Sequence, residues 1–103
     1  MDVAIAPIKT TELWNEYKLT RSSDIKNELM LSYMWVVNYV IQKTKLPTHS
    51  LLETEDFINI GMLGLSDAIE RFDIGRGVKF ESYAVARIRG MIQDELRNLE
   101  SNP

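Results

Sequence analysis

Between Asp24 and Lys43 the apolar residues Ile25, Leu29, Tyr33, Val36, Val37 and Val40 recur at steps of three and four. That period places them on one stripe of an α-helix and cannot alternate across a strand. Ser22 or Ser23 supplies an N-cap oxygen, and Asp24 complements the positive end of the helix dipole. The helix must stop before Pro47, whose ring disfavours helical geometry at Leu46 and which has no amide hydrogen to donate. A helix with one buried stripe requires partners, so the rest of the chain has to supply matching apolar faces.

Three further segments do so. Thr11 can cap a short helix over Glu12 to Leu19, in which Leu13, Trp14 and Tyr17 share a face, and the first eleven residues read as a leader. Thr54 can cap a third helix with Glu55 and Asp56 in its first turn and Phe57, Gly61, Leu65, Ala68, Ile69 and Phe72 along its core line. Gly61 and Gly64 each weaken that helix by about 1 kcal/mol relative to alanine, which points to a close helix approach as the compensation. Asp73-Ile74-Gly75-Arg76-Gly77 is turn chemistry, with two glycines able to take positive φ. A fourth helix is expected from Phe80 to Asn98, with Phe80, Ala84, Ile88, Met91, Ile92, Glu95 and Leu99 near one face. The expected fold class is all-α: a compact bundle of about four helices over residues 12–98, followed by a short tail at 99–103.

In 103 residues there is room for one modest core and one domain. No cysteine occurs, which removes thiol catalysis and cysteine-ligated metals. One histidine, His49, lies in the connection after Pro47 and reads as a solvated loop residue. Asp94 and Glu95 are neighbours on a helix and diverge by about 100°. Glu55 and Asp56 read as a helix start, and Gly75-Arg76-Gly77 lacks the spacing and lysine of a phosphate loop. No catalytic constellation, cofactor or metal site is expected. The longest apolar stretch, Met34 to Ile41, is too short to span a bilayer, and the amino terminus carries no secretory signal pattern. Cytoplasmic residence and no membrane partner are therefore expected.

Charge is distributed unevenly. Residues 50–70 carry five acids and no lysine or arginine, whereas residues 71–97 carry six bases against four acids. Adjacent segments of opposite sign suit two partners of opposite sign, although charge alone favours two solvated helix faces that compensate each other.

One set of motifs narrows the reading. The run Asp56-Phe57-Ile58-Asn59-Ile60-Gly61-Met62-Leu63-Gly64-Leu65-Ser66-Asp67-Ala68-Ile69-Glu70-Arg71-Phe72-Asp73 is followed by Gly75-Arg76-Gly77-Val78-Lys79-Phe80-Glu81-Ser82-Tyr83-Ala84. Arg87-Ile88-Arg89-Gly90 and Asp94-Glu95-Leu96-Arg97 come next. Together these resemble the second conserved region of bacterial RNA polymerase sigma factors. The last two tetrapeptides, with Leu13-Trp14 and Leu46-Pro47, resemble the flagellar and sporulation branch. The resemblance implies that Asp56, Asn59, Ile60 and Ser66 face the coiled coil of the polymerase beta-prime subunit, with Met62 and Ile58 as apolar partners off the core line. It further implies that Arg76, Lys79, Arg87 and Arg89 meet the non-template strand of the minus-ten element and that Phe80 and Tyr83 are the aromatic candidates to receive a base. Of the two rings Tyr83 is favoured, because Phe80 also fits the core line. Arg87 and Arg89 diverge, so only one of them can share a strand with Tyr83.

The pair of tryptophans of primary sigma factors is replaced here by Ala86 and Arg87, as in the flagellar branch. After Arg97 the sequence reads Asn98-Leu99-Glu100-Ser101-Asn102-Pro103 in place of the branch's usual continuation, so later promoter-reading domains are not expected in this chain. The function implied is polymerase binding and minus-ten recognition and melting, without enzymatic activity. The alternative is a sigma-like interaction module that binds polymerase or an anti-sigma protein without reading DNA.

Overall fold

The computed structural model describes residues 5–47 and 52–101 of the chain. Four helices follow in order: α1 (Ile5–Thr20), α2 (Ser23–Lys43), α3 (Thr54–Arg71) and α4 (Phe80–Ser101), with one 3-10 turn, Ile74–Arg76, before α4. No strand occurs among the described residues, so the all-α expectation holds. Helix α3 packs chiefly on α4 and α2, while α1 packs on α2.

Each α2 residue of the expected stripe from Leu29 to Val40 is buried. Ser22 is the cap, its side chain accepting from the Ile25 amide, and the helix ends ahead of Pro47 with the Thr44 hydroxyl bonded to the Val40 carbonyl at 2.7 Å. Both α3 glycines serve close packing. A Cβ on Gly61 would stand 2.8 Å from Val37 Cγ1 of α2, and one on Gly64 would stand 3.1 Å from the Ile88 Cα of α4. The helix can therefore touch both neighbours at backbone distance, which offsets the intrinsic cost of two glycines.

An aromatic cluster closes one end of the core. Trp14 lies between Tyr33, Phe72 and Phe80, with ring centroids 4.9 Å from Phe80 and 5.4 Å from Phe72. Its indole N–H donates to the Tyr33 hydroxyl at 2.9 Å, so the buried polar tip of the tryptophan is satisfied. Burial also pushes the Tyr33 phenol above its ordinary pKa.

Four expectations need correction. Helix α1 is already helical at Ile5, so Thr11 is an interior residue and no cap, and residues 5–11 are helical. Glu53, and not Thr54, is the N-cap of α3, its amide donating to Asp56 Oδ2 at 2.8 Å. Of the two turn glycines, Gly77 takes positive φ (80°) and Gly75 does not, its amide instead donating to Asp73 Oδ1 at 3.1 Å. Helix α4 continues past Asn98 to Ser101, and Leu99 packs against the core. His49 lies outside the described residues. Among the described residues no helix is long and apolar enough to cross a membrane.

Candidate polymerase- and nucleic-acid-binding surfaces

Helix α3 buries Phe57, Gly61, Gly64, Leu65, Ala68 and Ile69, which leaves the opposite side outward. At about 100° per residue, Asp56, Asn59, Leu63 and Ser66 fall within roughly 80° of that outward side. Ile60 and Met62 flank it on either edge, and both are half-buried against the core. Of the residues the family resemblance selects, Asn59 is fully outward. Asp56 is half-buried and already engaged in the helix cap. Leu63 is the residue that sequence reasoning missed: it is a leucine 63% exposed in the middle of this face. Its position opposite the core line was readable from helical phase, but one apolar residue off the stripe carried no signal alone.

The second surface lies where α3 and α4 meet. Tyr83 and Arg87, four residues apart, share one line along α4, and Lys79 is the residue just before that helix. Lys79 is exposed; Tyr83 is half-buried with its ring centroid 5.7 Å from that of Phe72. Arg87 reaches across to α3, where it pairs with Asp67 Oδ2. Asp67 Oδ1 accepts from Arg71 Nε at 2.7 Å. The Arg71 hydrogen bond holds the Asp67 carboxyl below the usual carboxylate range, and Arg87 acts in the same direction. The seam therefore carries one aromatic ring and two guanidiniums around a single carboxylate.

Arg71 also escaped the sequence reading, since its partner Asp67 satisfies it within one helix turn and only the arrival of Arg87, 20 residues later, reveals a cluster. Phe80 must be removed from the DNA-facing set. It is 4% exposed and surrounded by Trp14, Tyr33 and Phe72, so no face of the ring is left for a base. Arg89 is exposed on the far side of α4 from Arg87, and Arg76 is exposed at the end of the 3-10 turn. Neither is brought into the seam.

A family model described as Sigma-70 region 2 matches residues 32–101, more than half of the chain. This chain is a member of the sigma-70 region 2 family. The RNA polymerase sigma-D factor of Bacillus subtilis is 39% identical over 85 residues, covering 82% of this chain and 34% of the relative. RNA polymerase sigma factor FliA of Yersinia enterocolitica is 36% identical over 78 residues, covering 76% and 34%, and that of Escherichia coli K12 is 35% identical over 78 residues, covering 76% and 33%. The resemblance read from the tetrapeptide motifs thus holds, and the similar factors are of the flagellar type. The region 2 domain described here spans about a third of the length of these relatives. Both surfaces fall inside the matched residues.

Proposed function

We propose that this domain acts in transcription initiation as the polymerase-binding and minus-ten-opening part of a flagellar-type alternative sigma factor, working in the cytoplasm and without catalysis of its own. In this reading the outward face of α3, with Asp56, Asn59, Ile60, Leu63, Met62 and Ser66, docks on core RNA polymerase at the beta-prime coiled coil. The α3–α4 seam then meets the non-template strand of the promoter. Arg76, Lys79 and Arg87 supply cations for phosphates, and Tyr83 offers a ring on which an extruded base can stack, worth about 1–3 kcal/mol. Arg89 serves a phosphate on the other side of α4.

The observation that carries the reading is the half-buried Tyr83 ring four residues from Arg87 on α4, with Lys79 just before the helix and Arg71 bound to the same carboxylate as Arg87, on a helix that packs directly on α3. A net charge of −3 gives the isolated domain little attraction for DNA. Affinity then depends on polymerase holding the seam against the strand, which lowers the entropic cost of association.

A second reading rests on α2. Leu31 (71% exposed) and Trp35 (54%) lie on its outer side with Met34 and Tyr39, also exposed, and such a face suits a protein partner such as an anti-sigma factor. One experiment separates the two. The chain is bound to purified core polymerase, and the complex is offered a single-stranded minus-ten oligonucleotide and a scrambled one. Selective retention that falls with Tyr83→Ala supports the promoter-opening domain. Polymerase binding without sequence preference supports the interaction module.

A further inference from the structure

The α3–α4 seam holds a contact that DNA binding as proposed above does not require and that opposes it: Arg87, aligned with Tyr83 toward the strand, is paired with a carboxylate. Three observations define the state of this arginine. Its guanidinium is bound to Asp67 Oδ2, its Nε is buried without a hydrogen-bond partner, and its side chain still keeps 39% of its surface in solvent. A buried N–H with no acceptor is unfavourable. Rotation of the guanidinium outward loses Asp67 but lets water or a phosphate reach Nε, which offsets part of that loss. Asp67 also holds Arg71, so two cations share one anion and the cluster carries a net charge of +1.

We infer that Asp67 is a specificity-determining residue: it withholds Arg87 from indiscriminate phosphate contact and releases it only to a strand whose base is already seated on Tyr83. The inference rests on the reading of the seam as the minus-ten surface. Its logic is one of competition. A phosphate that engages Arg87 must displace a carboxylate from it, and a strand anchored by stacking one turn away at Tyr83 does so at high effective concentration. A strand without that anchor meets a cluster in which one of the two guanidinium charges is cancelled. The position of Asp67 on α3 strengthens the effect, because Asp56, Ile60 and Asp67 lie within about 40° on one side of that helix. The acid therefore lies on the border between the docking face and the seam.

The test is Asp67→Asn in the full chain, complexed with core polymerase, with binding of minus-ten and scrambled single strands measured across a salt series. Loss of the carboxylate should free one further cation for phosphate. Affinity for the scrambled strand should then rise several-fold, and its dependence of log K on log salt should steepen by about 0.7, the value for one added contact on a single strand. The preference for the minus-ten strand should fall by a similar factor. In an Arg87→Ala background the same substitution still frees Arg71, so the salt slope should steepen while the preference for the minus-ten strand stays unchanged, whereas in an Arg71→Ala background both should change. An unchanged preference and salt slope in Asp67→Asn, with the unsubstituted chain still selective, overturns the inference alone, as does a fall in the minus-ten preference that persists without Arg87. A complex of the unsubstituted chain with no preference for the minus-ten strand overturns the reading of the seam and the inference with it.

Discussion

Arg87 of α4 and Arg71 of α3 both donate to Asp67, so one carboxylate ties the C-terminal end of α3 to α4. The tie has a consequence for stability that can be read from pH. Both arginines favour the ionised acid, and Asp67 in the folded chain therefore titrates below the usual carboxylate range. A depressed folded value means that the contribution is complete above the unfolded pKa and is lost as pH falls through the folded one. Urea unfolding between about pH 5 and pH 2 should show a decline in stability, and Asp67→Asn should flatten part of it while leaving the neutral-pH slope unchanged. Because the side chain is partly solvated, the effect is small compared with that of a buried pair.

The α3 glycines predict opposite outcomes from α4's own. Gly64→Ala gains helix propensity but sets a Cβ 3.1 Å from the Ile88 Cα, a backbone atom that can yield only if the helices separate. Overpacking of this kind costs about 1–3 kcal/mol and outweighs a propensity gain of about 1. At Gly90 an added Cβ meets nothing within 4 Å. Gly90→Ala should therefore stabilise by roughly 0.5–1 kcal/mol. Urea midpoints for the two variants should move in opposite directions.

The two aromatic candidates separate in the same way. Phe80→Ala opens a cavity under Trp14 and should cost about 3–5 kcal/mol, enough to bring a domain of this size to the edge of unfolding. Tyr83 is half-buried on Phe72, so Tyr83→Ala should destabilise less and leave polymerase binding intact. Thermal melts of both variants, read beside retention of the minus-ten oligonucleotide by the Tyr83→Ala complex, check the assignment. A larger loss of stability at Tyr83 than at Phe80 would reverse it.

These residues also show what the sequence could carry. The α2 stripe, the face of Leu13, Trp14 and Tyr17, and the close approach at Gly61 and Gly64 follow from period and from the cost of helical glycine, which are local properties. Phe80 fitted both a core line and a DNA-facing set; only the arrival of Trp14 and Tyr33 from two other helices decides between them. The Asp67–Arg87 pair could not be read at all, since two residues 20 apart become neighbours only through the packing of α3 on α4. At the start of α3, Thr54 is a good cap by type, yet the reciprocal spacing of Glu53 and Asp56 places the boundary one residue earlier.

That boundary changes how the docking face should be probed. Asp56 Oδ2 accepts the Glu53 amide, so Asp56→Ala removes a cap interaction and should lower stability by about 1 kcal/mol. Asp56→Asn keeps an acceptor and should recover most of it. Chemical denaturation of the pair measures the cap separately from any contact with polymerase.

Leu63 offers the cleaner probe. It lies between Asn59 and Ser66 on the outward face with 63% of its surface in water, so little of it contributes to the core. If α3 docks on polymerase, the centre of that contact is an apolar group that becomes desolvated on binding, and central apolar anchors carry more of an interface than charges at its rim. Leu63→Asp should leave the melting temperature within the range of an ordinary surface substitution, about ±0.5 kcal/mol. It should also weaken binding to core polymerase by ten-fold or more, corresponding to at least about 1.4 kcal/mol. Asn59→Ala, at the edge of the same face, should cost less. Equal binding by Leu63→Asp and the unsubstituted chain, measured by titration against core polymerase, would move the docking surface off α3 and leave the exposed side of α2, around Trp35, as the surface to test next.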